Sequence, residues 1–431
     1  MQFGTDGVRG RANTDLTASF ALDLGRAAAR VLRASVAVVG GDSRLSTPML
    51  EAAFVAGLAS EGVEVHRLGV TPTPAVAFEA ARIGAMGAVI SASHNAYHDN
   101  GIKLFAVGGT KLPDEVERAV EVELAQLPAP VGDPGHVHGR GEAAEAYVEH
   151  LLAALDGRDL AGRRVVVDAA NGAASHLAEQ VFRRAGARVV VINADPDGRN
   201  INAGCGATDV AGLRAAVTAE RADAGIALDG DADRLIAVDE KGNVVDGDHI
   251  IAICATDLRD RRLLKDDTVV VTVMTNLGFR LAMEHAGIHV VETPVGDRYV
   301  LETLIEGGYS LGGEQSGHVI FGDLATTGDG MLTALVLLDI ARRSGRQLSH
   351  LAADAMTQLP QVLVNVPVAG RRPDIALELA DAIAAAEADL GETGRILVRP
   401  SGTEPLVRVM VEAVTAEQAR VTAERLAALI R

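Results

Sequence analysis

The chain has 431 residues, 48% of them hydrophobic, which is too long for one ordinary core and points to roughly two to four domains. A formal charge of -18, no tryptophan and 3% aromatic residues argue against a surface that draws in a nucleic-acid backbone or stacks its bases. The two cysteines, Cys205 and Cys254, lack metal spacing, which argues against a disulfide framework and fits a reducing cytoplasm. The N-terminal stretch shows no secretory apolar core, and no apolar run reaches membrane-spanning length.

In chain order, FGTDGVRG (residues 3–10) sets three glycines around Thr5, Asp6 and Arg9, a loop able to bring N–H groups and a guanidinium to a small anion. Leu16, Phe20, Leu24, Ala28 and Val31 recur at helical spacing. Val36–Gly40 reads as a strand, and Pro48 opens the next helix with Ser46 or Thr47 as its cap. A strand over Val63–Leu68 and a loop and helix over TPTPAVAFEAARIG continue the alternation of a layered α/β domain. Gly87–Ile90 is an apolar strand leading into SASHNAYHDNGIK (residues 91–103), with Asn100-Gly101 as a turn before Ile102–Phe105. This stretch is either an ordinary polar loop or an exposed serine beside His94 and Asn95 at the rim of a sheet.

Helices are expected over residues 113–127 and 142–155, with a Pro- and Gly-rich link between them. A second α/β unit follows: strand Arg164–Asp168, helix Ala173–Ala185, strand Val189–Ile192, helix Val210–Arg221, then strands Gly225–Leu228 and Leu235–Asp239 around DGDADR. A third has helix Asp248–Leu258, strand Thr268–Met274, helix Gly278–Ala286, strand His289–Glu292, strand Tyr309–Leu311 and helix Asp329–Arg343. The last unit orders strand Val362–Val366, helix Asp374–Asp389, strands Arg395–Val398 and Val407–Val414, and helix Ala416–Ile430, a small α+β domain with a largely antiparallel sheet. Similar order in the first three units suggests a structural repeat. The expected boundaries are 1–152, 153–251, 252–361 and 362–431.

Four residue sets carry chemistry. Asp229, Asp231 and Asp233 alternate, so extended backbone would turn three carboxylates to one face, where they repel unless a cation joins them. All-oxygen ligation suits Mg²⁺; a calcium hand fails because Arg234 stands where its loop needs glycine and because the flanks read as strands. Arg234 beside the triad is useful when a second anion, such as a phosphate, arrives. GEQSGH (residues 313–318) offers Glu314 and Ser316 to a polyhydroxylated ligand, or is a plain turn. RPSGTEPLVR (residues 399–408) is either a hairpin with surface arginines or a phosphate clamp of hydroxyls, N–H groups and guanidiniums. Together with the serine, these sets point to phosphoryl transfer on a small phosphorylated molecule.

FGTDGVRG, SASHN with DNGIK, DGDADR, GEQSGH and RPSGTEPLVR stand in the order of the α-D-phosphohexomutase superfamily, and the chain resembles it over nearly its whole length. The glutamine in GEQSGH, VGDRYVLE and TGDGMLTAL resemble the branch acting on glucosamine phosphate; the mannose- and glucose-phosphate branch is the alternative. The resemblance implies four domains around a central cleft, three of them α/β units with mixed sheets and the fourth a C-terminal α+β domain. It implies phosphoserine at Ser93, Mg²⁺ held by Asp229, Asp231, Asp233 and the Ser93 phosphate, and Arg234 and Arg9 beside that phosphate. Lys103 with Arg9, His94 and His318 are the implied proton-transfer and catalytic groups. Glu314 and Ser316 would hold sugar hydroxyls, and Arg399, Ser401, Gly402, Thr403 and Arg408 the distal phosphate. The implied reaction interconverts glucosamine 6-phosphate and glucosamine 1-phosphate through a 1,6-bisphosphate, feeding UDP-N-acetylglucosamine and cell-wall precursors in the cytoplasm. The partner is then a small sugar phosphate, without nucleic acid or membrane. A homodimer is compatible with the sequence. Ala96 stands where the family usually has proline, which loosens the loop without removing a chemical group.

Overall fold

The computed structural model describes residues 3–4, 6–370, 372–400 and 405–430, and its chain divides into two compact units, Met1–Val273 with Ile288–Ala353, and Met274–Gly287 with Asp354–Arg431. Four sheets carry the architecture: three are mixed and the last is antiparallel, as the expected fold class requires. No helix among the described residues is long and apolar enough to cross a membrane.

The first sheet is built from β1 (Val8–Arg11), α1 (Ala18–Leu32), β2 (Val36–Gly41), α2 (Thr47–Ser60), β3 (Glu64–Val70), α3 (Thr73–Ile83), β4 (Met86–Ile90), β5 (Asp99–Phe105), α4 (Asp114–Leu124), β6 (Val137–Gly139) and α5 (Glu142–Ala153). Its strand order is β1-β5-β4-β2-β3-β6. Every residue of β4 is buried, which is why it reads as an uninterrupted apolar run rather than an alternation. Leu24, Phe54, Leu58, Ile90 and Ile102 fill one face of this sheet. There α1 and α2 approach so closely that a Cβ on Gly57 would lie 2.1 Å from the carbonyl oxygen of Leu22.

Two expectations are corrected in this region. Asn100-Gly101 is not a turn but lies within β5, where a Cβ on Gly101 would stand 2.4 Å from the Ser91 carbonyl oxygen. Close strand approach, not reversal of the chain, calls for that glycine. Ser46 does occupy the N-cap of α2 but makes no side-chain capping bond; its Oγ instead accepts from Asn100 Nδ2 at 2.8 Å.

The second sheet comprises β7 (Arg164–Asp168), α6 (Ala178–Arg184), β8 (Arg188–Ile192), α7 (Ala211–Glu220), β9 (Ala224–Leu228), β10 (Leu235–Asp239) and β11 (Val244–Val245), ordered β11-β10-β9-β7-β8. Regular helix begins only at Ala178, because residues 173–177 form turns first, with the Ser175 N–H bonded to the Gly172 carbonyl and the Leu177 N–H to that of Ala174. The third sheet is built from β12 (Thr268–Thr272), β13 (His289–Thr293), β14 (Leu311–Gly313) and β15 (Val319–Phe321) in the order β13-β12-β14-β15, with α8 (Gly247–Asp260), α10 (Asp297–Gly307) and α11 (Gly330–Ser344) packed on it; α12 (Leu348–Ala355) follows, and α9 (Leu277–His285) groups with the second unit. VGDRYVLE, given no element from sequence, supplies the start of α10. The strand expected at Tyr309 begins at Leu311, since the Tyr309 N–H still bonds to Leu304 at the end of that helix.

The second unit carries the antiparallel order β16-β18-β17 from β16 (Gln361–Pro367), β17 (Arg395–Pro400) and β18 (Leu406–Glu412), with α13 (Ile375–Glu378), α14 (Ala380–Leu390) and α15 (Ala416–Ala427). The single helix expected over 374–389 is thus two, divided at Leu379.

Candidate active site

The Ser93 Oγ donates to Asp229 Oδ2 at 2.6 Å and lies 3.2 Å from His94 Nδ1. Ser93 is buried rather than exposed, at 1% accessibility, and its backbone is left-handed (φ 51°). The tip of the β4–β5 connection therefore turns its hydroxyl inward, onto the loop between β9 and β10.

That loop brings the three aspartates together by a different route from the extended one expected. β9 ends at Leu228 and β10 starts at Leu235; between them the Ala232 N–H closes a turn on the Asp229 carbonyl (3.1 Å), with Ala232 at φ 60°. Small residues at Gly230 and Ala232 permit this path, since a Cβ on Gly230 would stand 2.5 Å from the Ser93 carbonyl oxygen. One carboxylate oxygen from each of Asp229, Asp231 and Asp233 lies within 4.8 Å of the others, all buried. Asp231 Oδ1 and Asp233 Oδ1 are buried with no hydrogen-bond partner, an arrangement that fits an oxygen-seeking divalent cation such as Mg²⁺. Burial, with Asp233 and Asp231 beside it, raises the Asp229 carboxyl well above its usual range.

Lys103 faces the triad from β5. Its Nζ is 2.8 Å from Asp231 Oδ2, 3.1 Å from Asp233 Oδ2 and 2.8 Å from Asp6 Oδ2. Burial would discharge this amine, but Asp231, Asp233 and Asp6 overcome it and hold the ammonium well above its ordinary pKa. Asp6 extends the array: Arg9 Nη2 donates to its Oδ2 at 2.6 Å and Lys111 Nζ to its Oδ1 at 2.8 Å. Lys111 also pairs with Asp297 Oδ2, and His318 Nε2 stands 3.4 Å from that same oxygen. Alternating charges thus run from the aspartate loop to the GEQSGH loop. Asp231 is further held by Thr73, whose Oγ1 donates to its Oδ2 at 2.5 Å.

The His94 pKa is lowered to about 4 by burial, with Arg234 and Arg9 adding repulsion, so its ring is neutral at physiological pH. The Arg234 backbone N–H donates to Asp229 Oδ1 (3.2 Å), while the Nε of its side chain is buried without a hydrogen-bond partner. Glu314 Oε1 accepts from the Gly296 N–H (3.2 Å) and Oε2 from Ser316 Oγ (3.1 Å), so the two expected sugar-binding groups are adjacent. Gly317 (φ 91°) seats this loop against β10, its carbonyl accepting from the Leu235 N–H at 2.9 Å.

In the second unit, Arg399 on β17 and Arg408 on β18 are register partners, so two guanidiniums share one place on the sheet. Burial lowers the Arg399 pKa and the charge of Arg408 adds to it. Ser401, Gly402 and Thr403 lie outside the described residues. Sequence reasoning missed Arg44, Thr73, Lys111, Asn202 and Asp297; only the doubled threonine-proline at 71–74 hinted at one of them.

Phosphoglucomutase/phosphomannomutase family models match the chain in four consecutive parts: alpha/beta/alpha domain I over residues 1–129, domain II over 145–242, domain III over 246–359 and the C-terminal domain over 363–429. The chain is 58% identical over 446 residues to a phosphoglucosamine mutase of Frankia alni, spanning 100% of this chain and 98% of that one. It is 56% identical over 446 residues to a phosphoglucosamine mutase of Streptomyces avermitilis, with the same coverage of 100% and 98%. A solved phosphoglucomutase/phosphomannomutase family protein from Burkholderia thailandensis matches with a TM-score of 0.84 at 25% identity, over 98% of this chain and 97% of that one. With four family domains in order and more than half of all residues shared along the full length, the chain belongs to the phosphoglucosamine mutases of the α-D-phosphohexomutase superfamily.

Proposed function

We propose that the chain interconverts glucosamine 6-phosphate and glucosamine 1-phosphate, with Ser93 carrying the phosphoryl group between them. The observation that supports this most is the meeting of Ser93 Oγ with Asp229 at 2.6 Å in the buried cluster that also holds Lys103 and the other two aspartates. In the first half-reaction the sugar 1-hydroxyl oxygen forms a bond to phosphorus as the Ser93 Oγ–phosphorus bond breaks, giving a 1,6-bisphosphate and a free serine. After the bisphosphate turns around, its 6-phosphate returns a phosphoryl group to Ser93. In the first half-reaction the proton of the sugar hydroxyl ends on Ser93 Oγ; in the second, Ser93 Oγ gives up that proton as it bonds to phosphorus and the sugar 6-oxygen takes one as its bond to phosphorus breaks, so each half-reaction balances.

Lys103, kept cationic by its carboxylates, and the neutral His94 beside Ser93 Oγ are the groups we assign to moving that proton, with Arg9 assisting and His318 serving the far side of the pocket. Asp229, Asp231 and Asp233 would hold Mg²⁺ with an oxygen on Ser93, and that ion would offset phosphoryl charge. Arg234 lies by the same phosphate. Glu314 and Ser316 bind sugar hydroxyls. Arg399 and Arg408, with Ser401, Gly402 and Thr403, grip the distal phosphate, the two guanidiniums reaching it from register partners on one sheet as charge-assisted donors. The division of labour follows 1–152 for the serine, 153–251 for the metal, 252–361 for the sugar and 362–431 for the distal phosphate. This chemistry belongs in the cytoplasm, ahead of UDP-N-acetylglucosamine formation, and the homodimer is a question for sedimentation.

A coupled assay across glucosamine, glucose and mannose 6-phosphates tests the reading. Highest kcat/KM with the glucosamine compound supports it; preference for a hexose phosphate transfers the chain to the phosphomannomutase/phosphoglucomutase activity, and release of inorganic phosphate alone would make it a phosphatase.

A further inference from the structure

The backbone behind Ser93 is gripped from two sheets. Arg44 is buried (1% accessibility), and its Nη2 donates to the carbonyls of Ser93 and Asn95 at 2.8 Å each. Its Nη1 donates to the carbonyls of Ala96 and Asp99, and its Nε to Asp42 Oδ2 at 2.8 Å. Asp42 also accepts from Ser91 Oγ (2.7 Å), which in turn accepts from the Ser93 N–H (2.9 Å). From the loop after β8, Asn202 Nδ2 donates to the same two carbonyls, at 2.9 Å to Ser93 and 3.1 Å to Asn95.

Such a clamp answers a specific conformational need. Serine at φ 51° occupies a region costing about 1 kcal/mol or more for a residue with a Cβ, so the surroundings must impose it. Four carbonyls converging on one guanidinium do so, because the planar fork satisfies several acceptors in one fixed geometry. Ala96 sharpens the need, since a proline there would restrict the loop covalently and alanine does not.

We infer that Arg44 and Asn202 are positioning residues that hold the Ser93–Asn95 backbone so that Ser93 Oγ stays on the Asp229 side of the pocket. The inference rests on the reading of Ser93 as phosphoryl carrier. Arg44→Lys keeps the charge beside Asp42, but three donors on one nitrogen cannot span four carbonyls; Asn202→Ala removes the second grip and leaves Arg44 in place.

Both variants are tested in the full chain by kcat, KM, melting temperature and mass spectrometry of Ser93, with Ser93→Ala alongside. Misplacing a reacting group by about 1 Å costs on the order of 100-fold, so R44K should lose about that in kcat. N202A, losing one of two grips, should lose about tenfold, and both should keep KM within about threefold and melt near the wild type. Folded variants with wild-type kcat overturn the inference, as does a loss confined to KM. If R44K fails to fold, N202A decides by the same criteria. Wild-type protein without phosphate on Ser93, or an active S93A, sinks the carrier reading instead; an inactive S93A beside fully active R44K and N202A sinks the clamp alone.

Discussion

Ser93 Oγ and Asp229 Oδ2, separated by 136 residues in sequence, meet at 2.6 Å across two different sheets. Ser93→Ala removes the hydroxyl assigned to carry the phosphoryl group, and leaves Asp229 and His94 in place beside it. Ser93→Ala should lower multiple-turnover activity by on the order of 10³-fold or more. Mass spectrometry of the purified wild type should find its phosphate on Ser93, and a phosphate on another residue would contradict the assignment.

Thr73 Oγ1 satisfies one oxygen of Asp231 and leaves the other without a protein partner. Thr73→Val keeps the shape but deletes the donor, so Asp231 loses part of its orientation. Mg²⁺ affinity measured by calorimetry should weaken about tenfold, in the manner of partners that orient metal ligands. An unchanged titration would separate Thr73 from cation binding.

Lys111 sits between Asp6 and Asp297, and burial opposes its charge while those carboxylates restore it. Lys111→Met would leave two buried carboxylates facing each other, at a cost of about 3–5 kcal/mol. Adding Asp297→Asn should recover part of the loss in thermal unfolding; additive losses in the double variant would show that the two side chains are not coupled.

Asp329 caps α11 by accepting from the Leu332 N–H at 2.9 Å and also accepts from Tyr147 OH at 2.8 Å. Burial pushes its carboxyl up to about 6 despite those donors. An acid with a raised folded pKa takes up a proton on folding between its unfolded value near 4 and about 6, so its contribution to stability improves as pH falls through that window. Asp329→Asn should therefore be more stable than wild type at neutral pH, and its advantage should shrink by on the order of 2 kcal/mol by about pH 4.5. A difference in melting temperature that stays constant over this range would refute the shift.

Arg408 stands opposite Arg399 on the small antiparallel sheet. If the pair grips the non-reacting phosphate, Arg408→Ala should raise KM by about tenfold with kcat nearly intact, the signature of binding energy shared by ground and transition states. A fall in kcat at constant KM would move Arg408 into the chemical step.

Sequence by itself determined the alternation of strands and helices, the antiparallel last domain and the five motifs in order. Each of these is local: burial of β4 on both faces shows as an apolar run, and glycine-rich turns carry their conformation in composition. It misjudged Asn100-Gly101 and the path of residues 229–233, because a glycine demanded by a neighbouring strand looks the same as one demanded by a turn. Tertiary structure alone decided that Lys103, Asp6, Lys111 and Asp297 form one array, that Thr73 serves Asp231, and that Arg44 holds the carbonyl of Ser93. The physical reason is that burying a charge demands a partner in space, whereas sequence periodicity records only which face of its own element a residue occupies.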